Sequence, residues 1–220
     1  MSALQKEPWR AEEELEGRQW NDSGQPMNLE RDRSFTMPTR ADAWNLLTEW
    51  TQSESLRKHA LAVEAAMRFY ARKFGQDEAL WGNTGLLHDF DYERNPEPPA
   101  HPTVGMRLLQ EQGWPEAMIH AIGGHAEYLD IPRESLLDKT LFAVDELCGF
   151  LTAVAYTRPG RTLAEVEVPS VLKKMRQSGF AKGVNREDIT RGAEELGVPL
   201  EEHIANCIAA MQSIAPELGL

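Results

Sequence analysis

The feature that most constrains this chain is the spacing of its apolar residues, which follows the period of an α-helix from Pro38 onward. Glycine and proline divide this pattern into segments. The predicted helices cover residues 39–50, 53–73, 77–90, 102–112, 115–126, 133–157, 169–177, 186–196 and 199–214. The alternation typical of strands is limited to a fragment at Val166 and Val168. The sequence therefore predicts an all-α fold.

The first 37 residues differ from the rest of the chain, because they are polar and contain the charge cluster Glu12–Glu14. Segments of this composition bury too little apolar surface to fold alone. We therefore expect residues 1–37 to form an N-terminal tail or a loosely docked arm. Residues 38–220 are expected to form a single all-helical domain.

Charge and composition lead to expectations about partners and compartment. The formal net charge of −12 and the pI near 5.0 argue against long nucleic acid and against an anionic membrane surface. A small phosphorylated substrate remains compatible with this charge, because a bound metal can reverse the local field. The two cysteines, Cys148 and Cys207, provide no disulfide framework. We therefore expect a cytoplasmic protein with no membrane partner.

One histidine, His59, is predicted to point into the helical core. On its helix it shares a face with apolar residues, which are Leu56, Ala60, Val63, Met67 and Tyr70. A core histidine that is satisfied by hydrogen bonds is the alternative to a metal ligand. The position alone does not separate these two interpretations.

An aspartate, Asp145, is also predicted to face apolar surroundings. It shares a helical face with Leu141, Val144, Cys148, Thr152 and Ala155. An unpaired buried carboxylate is costly, so it shifts its pKa or acquires a cation. A buried ion pair or a helix-capping contact is the alternative to a metal. A metal accounts better for Asp145 once histidines also point inward.

The adjacent pair His88-Asp89 ends a predicted helix. Neighbouring helical residues point 100° apart, so both side chains reach one centre only near the helix end. The small residues Gly82 and Gly85 precede the pair and would let another helix approach closely.

Together, His59, His88-Asp89 and Asp145 resemble the H…HD…D signature of the HD-domain superfamily of metal-dependent phosphohydrolases. The strings Leu86–Asp89 and Ala143–Leu147 are similar to the metal-binding helices of that family. The resemblance covers roughly residues 40–160, which would form the metal core, with C-terminal helices over 161–220. It implies a helical bundle around a mono- or dinuclear site that hydrolyses phosphomonoesters or phosphodiesters, commonly of nucleotides.

Two further histidines bear on the number of metals. His101 stands at a predicted helix entrance, and His125 lies on the inner face of its helix, whereas His120 points elsewhere. Dinuclear HD domains resemble this order, H…HD…H…H…D, which would make His101 and His125 ligands and Asp89 the bridging carboxylate. In the alternative, His101 caps a loop and His125 contacts substrate phosphate. Imidazole and carboxylate ligands without thiolate suit one or two divalent Mn, Fe, Co, Ni or Zn ions.

Catalytic and substrate-binding residues are predicted next to this centre. Asp89 would hold the metals that activate water, and Asp91 or Glu93 could orient that water or protonate the leaving group. A solvated loop is the alternative for the last two. Among the basic residues after 160, Lys173, Lys174 and Arg186 are candidate phosphate ligands, and a solvated face is their alternative.

The predicted function is hydrolysis of a small phosphorylated substrate, a nucleotide or a phosphodiester, by metal-activated water. The six-ligand order also resembles HD-fold di-iron oxygenases, which would activate oxygen on the same scaffold. A non-catalytic nucleotide-binding or regulatory module is a third possibility.

Overall fold

The computed structural model describes residues 38–220, and within this range it contains ten α-helices, two short 3₁₀ helices and no strand. The α-helices are α1 (Arg40–Trp50), α2 (Glu54–Phe74), α3 (Glu78–Leu87), α4 (Ala100–Glu111), α5 (Glu116–His125), α6 (Leu136–Tyr156), α7 (Val168–Met175), α8 (Arg186–Leu196), α9 (Leu200–Gln212) and α10 (Ala215–Leu218). The predicted all-α fold is confirmed. The predicted tail, residues 1–37, lies outside the described residues, so the division into tail and domain stays a prediction.

Capping residues account for the helix boundaries. The side chain of Ser53 accepts a hydrogen bond from the backbone of Leu56 at the start of α2, and Gly75 ends that helix with a φ of 65°. Helix α3 is shorter than the predicted segment 77–90. Its last residue is Leu87, and the following residues turn instead of continuing the helix. Because α3 ends before the pair, the side chains of His88 and Asp89 are not held about 100° apart and both can face one centre.

Helix α6 is the central element, because it packs against α2, α5, α8 and α9 and is buried along most of its length. Two glycines bring neighbouring helices close together. A Cβ at Gly192 of α8 would lie 2.6 Å from the Cα of Ala143 in α6. A Cβ at Gly85 of α3 would lie 2.8 Å from Cγ of Met67 in α2. At both positions only glycine permits the helices to lie this close together. At Gly85, the close contact brings the end of α3 against α2.

A buried polar network ties α9 to α2 and α6. The Tyr70 hydroxyl donates to Nδ1 of His203 over 2.6 Å, and Nε2 of His203 donates to the Ala143 carbonyl over 2.9 Å. Burial lowers the pKa of His203, which keeps the imidazole neutral. His203 therefore has a structural place in the core. Within the described residues, no helix combines the length and hydrophobicity that crossing a bilayer requires.

Candidate metal centre

Six side chains from five parts of the chain form two adjoining groups of possible metal ligands. The first group consists of His59 from α2, His88 and Asp89 from the turn after α3, and Asp145 from α6. The second group consists of Asp89, His101 from the start of α4 and His125 from the end of α5. In each group the possible ligand atoms lie within 4.8 Å of one another. The structure thus brings together all six residues predicted as ligands, and their binding of metal stays a prediction.

In the first group, Asp145 lies between two imidazoles. Its Oδ1 is 2.9 Å from Nε2 of His59 and 3.3 Å from Nε2 of His88. The same nitrogen of His88 lies 3.5 Å from Oδ2 of Asp89. Nitrogen and oxygen atoms that bind one transition metal at about 2.0–2.2 Å are separated by distances of this size.

The second group is built around the other oxygen of Asp89. Its Oδ1 lies 3.2 Å from Nε2 of His101 and 3.2 Å from Nε2 of His125. Asp89 therefore directs one oxygen toward each group. This is the arrangement that a bridging carboxylate requires.

Backbone and carboxylate acceptors fix the orientation of three of the four imidazoles. Nδ1 of His88 donates to the Gly85 carbonyl over 2.8 Å, and Nδ1 of His125 donates to the carbonyl of Ile122. Nδ1 of His101 donates to Oδ1 of Asp91 over 2.8 Å. A neutral imidazole that donates from Nδ1 keeps its lone pair on Nε2, and in each case this atom faces the centre.

The electrostatics of the centre are governed by burial and by the close carboxylates. Burial lowers the pKa of His88, but the charges of Asp89 and Asp145 outweigh it, so that pKa is raised. Burial likewise opposes the charge on His101, yet Asp89 and Asp91 raise its pKa to about 9. The pKa of Asp89 lies well below its usual range in spite of burial, because His88 and the other imidazoles stabilise the carboxylate. The imidazoles and carboxylates thus each favour the charged form of the other.

Two atoms at the heart of the cluster make no hydrogen bond with any residue of the described range. They are Nε2 of His88 and Oδ1 of Asp89, and both are buried. The 3.2 Å contacts of Oδ1 lack hydrogen-bond geometry, although they are close enough for electrostatic attraction. Buried polar atoms without partners are costly. A divalent transition metal would supply the missing partner to both atoms, so the residues present fit such an ion.

The carboxylate of Asp91 is fully buried and has a different neighbourhood from the one predicted. Its Oδ1 accepts from His101, and its Oδ2 accepts from the backbone N–H of Gly105 over 2.8 Å. With both oxygens engaged in the interior, Asp91 is placed to orient His101, and its role toward water or a leaving group stays a prediction. The carboxylate of Glu93 has different partners, because it accepts hydrogen bonds from the backbone N–H groups of Gln52 and Ser53.

Substitution of Asp91 by asparagine should weaken metal binding in the second group alone. The amide cannot provide the charged acceptor that orients His101, and such changes cost about 10- to 100-fold in metal affinity. Calorimetric titration of the metal-free protein should show one of two binding steps weakened. The matched control is Glu93→Gln, which should titrate like the wild type. Equal weakening of both steps would contradict the assignment of Asp91 to the second group.

Two of the three basic residues predicted to bind substrate make contacts within the C-terminal region. The guanidinium of Arg186 donates to the carbonyls of Val184, Ala181, Gln177 and Phe180, and thereby holds the loop before α8. The Nζ of Lys174 lies 4.6 Å from the ring centroid of Phe180. For Arg186 the structure therefore shows a structural role that the sequence did not predict. Substrate binding by Lys173, Lys174 and Arg186 stays a prediction.

Two tyrosines that were not predicted from the sequence lie beside the second group. The ring of Tyr92 packs edge-to-face on the His101 imidazole, with 5.2 Å between centroids. The hydroxyl of Tyr128 donates to the backbone carbonyl of His101. Each tyrosine follows a predicted ligand, Asp89 or His125, by three residues. This spacing is the only sequence signal that could have indicated them.

No protein-family model and no solved structure matches the chain. Curated proteins named Ribonuclease Y are similar to it. The one from Desulfotalea psychrophila is 31% identical over 97 residues, which is 44% of this chain and 18% of that protein. The one from Lactobacillus gasseri is 24% identical over 132 residues, which is 59% of this chain and 22% of that protein. The aligned part of the chain thus spans about a fifth of the length of these relatives.

The name of these relatives corrects one prediction. The expectation that long nucleic acid is not a partner is wrong, because the similar proteins are named for action on RNA. The expectation rested on the net charge of −12, which is summed over the whole chain. A bound metal can dominate the local field, so the total charge does not decide what approaches the centre.

Proposed function

We propose that this chain is a metal-dependent phosphodiester hydrolase of the HD-domain type, and that its substrate is RNA. The observation that carries the proposal is the pair of ligand groups that share Asp89. Two metal ions held about 3.5–4 Å apart are a recurring arrangement in nucleases and phosphatases. The similarity to proteins named Ribonuclease Y supports RNA as the substrate.

The charge balance of the centre supports an anionic substrate. The six ligands contain only two carboxylates, Asp89 and Asp145, and the other four are imidazoles that bind as neutral groups. Two divalent ions would therefore leave the filled centre with excess positive charge. An anionic phosphodiester is attracted to such a centre even though the whole chain is acidic.

The exposure of the ligands indicates the side from which substrate approaches. The side chains of His59, Asp89 and Asp145 are 24%, 23% and 21% exposed, whereas His88 is completely buried. His101 and His125 are only 9% and 7% exposed. The phosphodiester is therefore expected to enter beside His59 and Asp145, with Asp89 in reach of both groups.

The chain's own residues position and orient the reacting groups. Asp89 would hold both ions, His88 is aligned by the Gly85 carbonyl, and His101 is aligned by Asp91. When bound, divalent metals lower the pKa of water and stabilise charge on the phosphoryl oxygens. The buried side of the cluster, at His88, excludes solvent from behind the ligands and so strengthens the electrostatic interactions there.

Hydrolysis assays with defined metals test this proposal. The full chain, stripped with a chelator and reloaded with Mn, Fe, Co, Ni or Zn, should cleave single-stranded RNA and methyl 4-nitrophenyl phosphate, a small phosphodiester without nucleobases. Chelation should abolish both activities, and reloading should restore them. Metal binding without hydrolysis of either substrate would contradict the proposal. Oxygen consumption by the iron-loaded protein, without hydrolysis, would instead favour the oxygenase alternative.

A further inference from the structure

Three of the four tyrosines in the chain are exposed. Two of them contact the candidate ligand His101, and the third lines a cavity together with the candidate ligand His59. Tyr92, Tyr128 and Tyr156 are 39%, 50% and 52% exposed. Among residues 38–220, the only other large hydrophobic side chain with comparable exposure is Leu136. Single exposed hydrophobic residues are normal, but aromatic rings gathered around one centre indicate a binding surface.

Two of the rings lie on the side of the second ligand group. Tyr92 packs its ring on the imidazole of His101, and Tyr128 is tied by its hydroxyl to the carbonyl of the same residue. His101 in turn faces Asp89. Both rings are therefore held next to the place where a bound phosphodiester would lie, and each keeps a large part of its surface open to a ligand.

The third ring lies on the side of the first ligand group. Tyr156 lines a cavity of about 130 Å³ together with the ligand His59 and the basic Lys58. Tyr156 and Asp145 are eleven residues apart on α6, which corresponds to about 16 Å along the helix. A ligand that reaches Tyr156 from the metal centre must therefore be longer than a single phosphate ester.

We propose that single-stranded RNA lies across the centre, with nucleobases stacked on Tyr92 and Tyr128 on one side of the cleaved phosphodiester and on Tyr156 on the other. This inference rests on the proposed function and adds a mode of recognition to it. Aromatic side chains bind the bases of single strands by stacking, which tolerates any sequence. Stacking requires unpaired bases, so double-stranded RNA is excluded from this surface.

This mode of recognition is compatible with the acidity of the protein. Stacking between a nucleobase and an aromatic ring does not depend on the net charge of the chain, and it adds to the attraction between the phosphates and the positive charge of the site.

Binding and cleavage by tyrosine variants of the full chain test the proposal. The variants are Tyr128→Leu and Tyr156→Leu, with Tyr128→Phe to remove the hydroxyl but keep the ring. The matched control is Leu136→Ala, which truncates an exposed hydrophobic side chain outside the centre. The probes are a fluorescein-labelled oligoadenylate RNA, followed by fluorescence anisotropy and by cleavage, and methyl 4-nitrophenyl phosphate.

Each leucine variant is expected to weaken binding of oligoadenylate about tenfold. Hydrolysis of methyl 4-nitrophenyl phosphate by Tyr128→Leu should match that by Tyr128→Phe, because both variants lack the hydroxyl that contacts His101. Tyr128→Phe and Leu136→Ala should bind RNA normally. Unchanged RNA affinity of both leucine variants would overturn the inference, as would a parallel loss on both substrates by Tyr156→Leu. Anisotropy measures binding without cleavage, so failure of the proposed hydrolysis is distinguishable from failure of stacking.

Discussion

Substitution of Asp89 by asparagine is expected to remove metal from both ligand groups and to lower phosphodiester hydrolysis about a thousandfold or more. The change is isosteric, but it removes the negative charge that faces His88 on one side and His101 and His125 on the other. Metal ions contribute several kcal/mol of transition-state stabilisation, and about 1.4 kcal/mol corresponds to a factor of ten in rate.

The measurements are metal content by mass spectrometry and turnover with methyl 4-nitrophenyl phosphate. His120→Ala is the control, because His120 lies on α5 like His125 but contacts Asp138 and stays outside both groups. It should retain metal and activity. If the asparagine variant retained two ions per chain and normal turnover, Asp89 would not be the shared ligand. Circular dichroism would confirm that the variant is folded.

The second large effect concerns the contact between α6 and α8. Gly192→Ala should lower the free energy of unfolding by about 1–3 kcal/mol, because the added methyl group overpacks a closed interface. The clash is with backbone atoms of Ala143, which can move only if the two helices separate. Ala143 also accepts the hydrogen bond of His203. A shift of this segment would therefore disturb the packing of α9 as well.

Gly149→Ala is the matched control for this substitution. Gly149 lies in α6, and a Cβ at this position would meet no atom within 4 Å. Alanine is a better helix former than glycine by about 1 kcal/mol, so Gly149→Ala should raise the free energy of unfolding. Urea unfolding of both variants gives the comparison. An increase in the free energy of unfolding of both variants would show that helix propensity, and not packing, decides the outcome at Gly192.

Helical periodicity was sufficient to predict the architecture and the inward direction of the key side chains. The phases of α2 and α6 predicted that His59 and Asp145 point inward. The two side chains, 86 positions apart in sequence, do meet in the structure, at 2.9 Å, and each is about one fifth exposed. The approach of α3 to α2 at Gly85 also follows from the sequence, since a helix face without side chains permits close packing. These features depend on local geometry, which a single sequence records well.

Contacts between distant segments were not predictable in the same way. The acidic residue Asp91 was expected at the reacting groups, but a turn directs its carboxylate inward to His101 and Gly105. Arg186 was selected for its charge, and the structure shows it bound to loop carbonyls. The exposed rings of Tyr92 and Tyr128 acquire meaning only from their contact with His101. The net charge also led to the wrong expectation that long nucleic acid is not a partner, because a charge summed over the whole chain does not describe the field at one site.

The two ligand groups differ in how firmly their imidazoles are oriented. In the second group, Nδ1 of His101 and Nδ1 of His125 donate to acceptors outside the group, namely Oδ1 of Asp91 and the Ile122 carbonyl. In the first group, the hydrogen bond of His59 goes to Asp145, which is itself a candidate ligand. A ligand that is already oriented loses less conformational entropy when it binds an ion. We therefore expect the second group to fill first, so that scarcity of metal would empty the His59 position first while the protein stays folded.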